Sequence, residues 1–409
     1  MAYPPLMAMT KCPICGSATI ARSALINNAP LAHVIEIDTK VSFRDFGTID
    51  LCRCCACGYA WNNAAETVIG YEPTFLTNVP VSSRMMARHQ ELARYLSGQM
   101  AQAPGRVLEV GAGSGFLSMA LSDIGHDVCA LEPSAQLEEG LLSSRGVRTV
   151  NDWWPSFAVS SETFDLVVSV QVMEHSLSPQ QFVTALAEVL AVDGLAYVEV
   201  PSGDWLWTHR SPIDIHAPHV SYFSRRSLEI LIRKAGLRIV GQREIEHGRS
   251  CGFLLRRTDS NSSYSEELSV ETEADSDGFA HGVAADSLAL ASAVNHLRER
   301  VADLNGVSAL YGANAGTQSL LGWIPTGAWD CVLDDTSMYW GHAAYSEHVR
   351  IPIVNPDSVD LSRLSSVVIA AYIHDAFISE RLRKLGFLGE IFSLRPPSLL
   401  TTGPQPLLA

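Results

Sequence analysis

Two kinds of side chain recur in this sequence at spacings that can do chemistry, and the first is sulfur. Six of the nine cysteines lie within the first 57 residues, as Cys12-Pro-Ile-Cys15-Gly16 and Cys52-Arg-Cys54-Cys55-Ala-Cys57-Gly58. The second stretch holds two overlapping pairs, Cys52/Cys55 and Cys54/Cys57. Cys54/Cys57 repeats the Cys-x-x-Cys-Gly pattern of the first pair, and the glycine lets the knuckle turn back on a metal. Four thiolates from Cys12, Cys15, Cys54 and Cys57 would close a tetrahedral zinc site. Such a site is structural, because no position is left for water or substrate. Redox pairs or reactive thiols are the alternative, but two pairs with trailing glycines favour the metal. Cys52 and Cys55 are then spare, and Cys129, Cys251 and Cys331 sit in apolar or strand-like settings that suit ordinary buried thiols.

The second is imidazole. Asp214-Ile-His216-Ala-Pro-His219-Val-Ser-Tyr222-Phe-Ser224 places two histidines three apart in a loop, ahead of an apolar-aromatic run. Histidine exchanges a proton near neutral pH, so a pair of them is a candidate for acid–base work. Glu174-His175 follows the strand-like Phe164–Val170. The carboxyl end of a parallel strand is where ligands sit in open α/β sheets; a helix-start packing role is the plainer alternative.

These groups need a sheet to position them, and the sequence supplies one. Val107, Leu108 and Val110 read as a buried strand, Gly111, Gly113 and Gly115 as a tight turn, and Phe116–Leu121 as the opening of a helix. Glycine is needed where backbone approaches a ligand or takes a positive φ. Val128–Pro133 is a second strand ending in Glu132, 17 residues after Gly115, the reach of an acid that bonds a ribose diol. Asn151-Asp152-Trp153 adds an acid and a flat ring suited to adenine. Helices are expected over 84–96, 180–190 and 225–236, and strands over 195–200, 237–240 and 253–255. The alternation is that of a doubly wound sheet.

In this order the motifs resemble the class I S-adenosylmethionine-dependent methyltransferases, over about residues 105–255. The turn reads Gly-x-Gly-x-Gly, not the Gly-x-Gly-x-x-Gly of dinucleotide dehydrogenases. The cysteine knuckles and the His-Val-Ser-Tyr-Phe-Ser run further resemble the zinc-containing C-methyltransferases of nucleotide-linked keto-deoxysugars. That resemblance implies S-adenosylmethionine contacts from Glu109, Gly111, Gly113, Gly115, Glu132, Asp152, Trp153 and Gln171. It implies His219 as the base that removes a proton beside a ketone, with His216 or Tyr222 stabilising the enolate. The family's segment approximates Tyr-x-Glu-His-x-Ser-Phe-Phe-Ser. Here its glutamate falls on Pro218 and its tyrosine on His216.

The expected architecture is α/β: a Rossmann-like methyltransferase core with an N-terminal zinc-binding domain and a smaller C-terminal α/β domain. Residues 1–70 would be the zinc-binding domain, 71–257 the core, 258–283 an acidic linker and 284–409 the C-terminal, substrate-binding domain. Tyr71 and Phe75 are candidates for a lid. The C-terminal unit opens on Tyr311-Gly-Ala-Asn-Ala315, which resembles the same family's nucleotide-end turn and makes Gly312, Asn314, Thr317 and Ser319 candidate substrate contacts. A helix is expected over 284–304.

A net charge of −15 argues against nonspecific binding to nucleic acid or to acidic membrane surfaces. No apolar run approaches the roughly 20 residues that span a bilayer, and Met1–Leu6 lacks a signal peptide's basic and apolar regions. The expected protein is cytoplasmic, a monomer or homodimer, acting on a small-molecule substrate such as a nucleotide-linked sugar. Two rivals stand beside that reading: O- or N-methylation of another small metabolite, and a non-catalytic zinc-anchored scaffold.

Overall fold

A computed structural model describes residues 10–32, 34–38, 45–68, 83–133, 139–159, 162–258, 273–327, 329–396 and 401–402. Tyr71 and Phe75 lie outside these residues. Three sheets organise them.

The central sheet has seven strands in the order Leu237–Ile245, Ser250–Arg257, Leu190–Pro201, Phe164–Val170, Arg106–Val110, Asp127–Leu131, Arg148–Val150. The last five are parallel, and the 237–245 and 250–257 strands close the other edge antiparallel. Its parallel strands read as near-continuous apolar runs because both faces are covered. Helices Ser83–Gln99 and Phe116–Asp123 bury Leu92, Leu96, Leu117 and Leu121 against one face, and Pro179–Val189 and Arg225–Lys234 bury Phe182, Leu186, Leu228 and Leu231 against the other. The strand expected over 195–200 begins earlier, at Leu190, with an irregularity at Asp193-Gly194: register shifts between Phe164↔Leu190 and Leu166↔Leu195. The two antiparallel strands also run longer than expected, because each pairs along its length with its neighbour.

The C-terminal sheet has eight strands. Glu390–Ser393, Ser366–Ile369, Ser308–Tyr311, Trp329–Leu333 and Arg350–Val354 are parallel. Its far strand, Ile35–Glu36, comes from the cysteine-rich segment and pairs with His342–Ala343. A third, antiparallel sheet joins Ile20–Pro30, Phe46–Cys54 and Ala60–Asn62, and is completed by Ser221–Tyr222 from the histidine-bearing loop. The first 70 residues are thus stitched to both neighbouring units. Ile26, Leu31, Ile49 and Leu51 share one core with Trp207, Leu290 and Leu320, so apolar contact supplemented by neighbours holds a segment too small to bury a core alone.

The acidic stretch expected as a linker is helical from Glu273, and the helix continues to Ala302. Leu290, Val294, Leu297 and Val301 are buried at the helical spacing. That buried stripe stabilises the helix as a whole, and its polar start continues the same backbone hydrogen-bonding. Gly203–His209 is a helix the sequence reading did not assign; the Ser202 hydroxyl caps it by accepting the Trp205 N–H. No helix among the described residues is long and apolar enough to cross a membrane.

Candidate active site

The strand Arg106–Val110 ends in a turn whose glycines take φ of +72° (Gly111), +53° (Gly113) and +78° (Gly115). A Cβ at Gly111 would run into the Val172 side chain, and one at Gly115 would stand 2.7 Å from Leu142. At Gly113 nothing lies within 4 Å, so the outer face of the turn is open. The Gly111 and Ala112 N–H groups donate to the Leu131 carbonyl (2.8 and 3.1 Å). The Gly113 N–H donates to the Glu132 carboxylate at 2.9 Å. Gly115 is the N-cap of helix Phe116–Asp123 and carries no side chain to spend on its first amides.

The remaining expected cofactor contacts spread around that turn. Glu109 is buried beneath it and accepts the Ser118 hydroxyl; burial pushes its carboxyl up to about 8. Trp153 is 55% exposed beside half-buried Asp152, whose carboxylate accepts the Trp153 N–H at 2.7 Å. Gln171, at φ +56°, turns its amide towards Glu199 and Ser250, both at 3.3 Å.

The histidines gather where the loop before Ser221–Tyr222 meets Glu174 and His175. The His216 and His219 rings are 3.8 Å apart, His175 and His219 4.9 Å, and His219 and Tyr222 6.2 Å. The His219 Nε2 lies 3.9 Å from the Glu174 carboxylate. Glu174 is buried, and neither oxygen finds a hydrogen-bond donor from another residue among those described. Burial pushes its carboxyl up to about 8. Burial, with the neighbouring His216, His175 and Arg249, holds His219 well below the usual imidazole range. His219 is therefore neutral near pH 7, with a lone pair to offer. Tyr222 is buried and donates weakly to the His216 carbonyl (3.4 Å), so its ring packs the loop and its hydroxyl faces backbone.

The four cysteines of the two knuckles also meet. Cys12 and Cys57 Sγ are 3.6 Å apart, Cys15 and Cys54 3.5 Å, and all four lie within 4.8 Å of one another. A tetrahedral tetrathiolate with metal–sulfur bonds near 2.3 Å has edges of about 3.8 Å, so the donor set fits a metal, whereas a disulfide needs about 2.05 Å. Cys52 and Cys55 stay outside the cluster, and burial pushes the Cys52 thiol up to about 11. The knuckles reach the histidine loop directly: Ser224 Oγ donates to the Cys57 carbonyl (2.7 Å), and Tyr59 and Ser221 share a hydroxyl hydrogen bond (2.7 Å).

Residues 81–242 match a family described as a methyltransferase domain. Over those residues the chain is similar to a methyltransferase domain. Over 170 residues it is 28% identical to a ubiquinone biosynthesis O-methyltransferase of Cereibacter sphaeroides, a stretch covering 36% of this chain and 66% of that enzyme. A protein of the same description from Rhizobium rhizogenes is 32% identical over 101 residues, 23% of this chain and 40% of that one. The chain thus spans two thirds or less of the length of these curated relatives. Among solved structures it is similar to a 1,6-didemethyltoxoflavin-N1-methyltransferase from Burkholderia thailandensis, with 19% identity, 42% of this chain and 78% of that chain covered, and a TM-score of 0.35.

Within the matched residues, sequence reasoning passed over a buried network at the sheet's carboxyl edge. Glu199 pairs with Arg88 from helix Ser83–Gln99, accepts the Tyr197 hydroxyl at 2.9 Å, and receives the Gln171 amide. Gly252 is required beside it, since a Cβ there would collide with the Tyr197 hydroxyl. The available signal was an acid inside an otherwise apolar strand. A second network joins the domain to the C-terminal sheet: the Asp214 carboxylate receives the Arg249 guanidinium (2.9 Å) and the Tyr372 hydroxyl (3.1 Å).

The C-terminal turn differs from expectation. Gly312, at φ +105°, makes the turn; Asn314 accepts the Thr317 N–H at 3.2 Å as a helix cap; and the Thr317 hydroxyl donates back to the Gly312 carbonyl. Thr317 and Ser319 are buried in helix Ala315–Trp323. They face the interior because that helix packs on Ile20–Pro30, so neither is a surface contact for substrate.

Proposed function

We propose that this protein is an S-adenosylmethionine-dependent methyltransferase of a small-molecule biosynthetic intermediate, and that the intermediate is a nucleotide-linked keto-deoxysugar methylated at carbon. The observation that carries the reading is the convergence, at one edge of the central sheet, of the open Gly111–Gly115 turn with the His216/His219 cluster. The residues suit the cofactor: open space over Gly113, a buried acid at Glu132 and an exposed flat ring at Trp153. Gly111, Gly113 and Gly115 would hold its amino-acid end, Glu132 the ribose, and Asp152 and Trp153 the adenine. Glu109 and Gln171 act indirectly, Glu109 by holding the helix start through Ser118 and Gln171 by anchoring the adjacent loop to Glu199 and Ser250.

When bound, the cofactor supplies an electrophilic methyl on a sulfonium. The chain's part is positioning, which can supply much of the rate of a bimolecular displacement, and handling the acceptor's proton. A neutral imidazole of the His216/His219 pair, His219 first, takes the proton from the acceptor carbon. The electron pair left on that carbon is what a methyl supplied by the bound cofactor would bond to. Cys12, Cys15, Cys54 and Cys57 would hold Zn²⁺ outside the chemistry, and the knuckles brace the loop that carries His219 through Ser224 and Ser221.

Oxygen methylation is the second reading. It is favoured by the description of the relatives as ubiquinone biosynthesis O-methyltransferases and by Pro218 at the family's glutamate position. Calorimetric titration with S-adenosylmethionine and separately with thymidine diphosphate tests the proposal. Binding of both supports the nucleotide-sugar reading, and binding of the cofactor alone moves it to a non-nucleotide acceptor. Binding of neither, in metal-replete protein, leaves a scaffold. His219→Ala should lower turnover by about 100-fold or more with cofactor affinity kept, the size expected of a lost acid–base group; unchanged turnover removes the assignment.

A further inference from the structure

Glu174 has no account in the chemistry above. A carboxyl taken out of water costs several kcal/mol unless it is hydrogen-bonded or paired, yet both its oxygens lack a donor from another residue among those described, and the side chain is 1% exposed. Two imidazoles stand beside it. His219 Nε2 stands 3.9 Å from Oε1. The His175 Nδ1 bonds the Pro218 carbonyl at 2.7 Å. A carbonyl only accepts, so Nδ1 holds the proton and Nε2 keeps its lone pair. One ligand atom from each of Glu174, His175 and His219 falls within 4.8 Å of the others.

We infer that Glu174, His175 and His219 form a second metal site, distinct from the thiolate cluster, which takes a first-row divalent cation on two imidazoles and one carboxylate. The donor set is that of metal sites with open positions, and it suits zinc, iron, cobalt or manganese better than calcium. The backbone hydrogen bond of His175 is the outer contact that fixes a ligating imidazole's tautomer and orientation. Bonds of 2.0–2.2 Å would bring donors to about 3.0–3.4 Å of one another, so the cluster closes by roughly an ångström around the ion. Glu174 then gains the partner that its burial demands.

The inference rests on the proposed methyl transfer for its consequence and, where the cation is bound, moves the base from His219 to His216. A cation there leaves coordination positions on the acceptor side, next to His216 and Tyr222, which an acceptor bearing neighbouring oxygens would fill. A nitrogen that holds a cation takes no proton, so in the loaded protein His216, 3.8 Å ring to ring from His219, is the imidazole left to accept one.

The test is metal stoichiometry on the full chain, with Zn²⁺ counted by mass spectrometry after dialysis and Co²⁺ followed by absorption. Wild type should retain two Zn²⁺ per chain. Glu174→Gln, and His175→Asn at an exposed side chain that leaves the core intact, should each retain one. With Co²⁺, the intense thiolate charge-transfer band should saturate after one equivalent, and a second equivalent should add only weak ligand-field absorption. One Zn²⁺ per wild-type chain with the thiolate band saturated overturns the site, as does a second ion retained by both variants. S-adenosylmethionine titrated into the same samples separates the two claims. Cofactor binding with a single metal defeats the site and keeps the methyltransferase, whereas two metals without cofactor binding do the reverse.

Discussion

The molecule makes the same turn twice, and the two copies put it to different use. In the central sheet the Gly111 N–H bonds the Leu131 carbonyl and the Gly113 N–H bonds the Glu132 carboxylate. In the C-terminal sheet the Gly312 N–H bonds the Leu333 carbonyl and the Ala313 N–H bonds the Asp334 carboxylate at 2.7 Å. In each case an acid at the end of the second strand braces the turn after the first. The copies part at the next residues. Gly115 offers the first helix no side-chain cap and Gly113 faces open space, whereas Asn314 caps the second helix and Thr317 closes over Gly312. One turn keeps room for a ligand and the other satisfies itself. Counting along the sequence from Gly111 and from Gly312 sets Glu109 against Leu310 and Ser118 against Ser319. The Ser118 hydroxyl donates to Glu109, while the Ser319 hydroxyl is buried with no hydrogen-bond partner among the described residues, because leucine stands where the acid would.

Substitutions in matched pairs would break or sharpen this contrast. The largest effect is expected from Gly111→Ala, whose Cβ meets Val172 at a positive φ. It should weaken S-adenosylmethionine binding by about 100-fold or more, since strain of about 1–3 kcal/mol adds to the displaced side chain. Gly312→Ala should lower the melting temperature and leave cofactor affinity unchanged; equal losses of affinity would mean that the second turn also serves the cofactor. Glu132→Ala should weaken the cofactor by about 10–100-fold, or about 1.4–2.7 kcal/mol, and Asp334→Ala should not change it in the same calorimetric titration. Next comes the pH dependence of stability. Burial raises the Glu109 carboxyl from 4.5 to about 8, so the folded state holds a proton that the unfolded state releases. Its contribution is present below pH 4.5 and is lost as pH rises towards 8. Denaturant melts of Glu109→Gln across that window should fall less steeply than wild type, while Leu310 offers the second turn no such dependence. The smallest contrast is Ser118→Ala against Ser319→Ala. The first should destabilise by about 1–3 kcal/mol by stranding Glu109, and the second should be neutral or slightly stabilising, because an unpaired buried hydroxyl is lost.

Much of the central sheet was legible beforehand because its signals are local. Phe164–Val170 is an apolar stretch broken only by Asp165 and Ser169, and it is the observed strand to the residue. The three glycines announced positive φ, and all three have it. The cysteine pairs announced a four-sulfur cluster through a repeated four-residue pattern, and the fold brings those four sulfurs together. What escaped had no local signature. Ile20–Pro30 alternates only loosely, because its two ends bury against different partners, Leu320 among them. Thr317 and Ser319 read as available because the turn they follow looks like a binding turn, and only the strand packed on their helix buries them.

The sequence by itself determined where the backbone must turn, which strands are apolar on both faces, and which cysteines share a spacing. These follow from sterics and periodicity acting over a few residues. Tertiary structure alone decided that Glu174 meets His219 across 45 positions of chain, that Ser221–Tyr222 completes the cysteine-rich sheet, and that one glycine turn stays open while its copy closes. Each depends on which surfaces are buried together. Burial is a property of the folded whole: it is set by the apolar area removed from water and by the partners left for each polar group, and neither quantity is carried by any short stretch of residues.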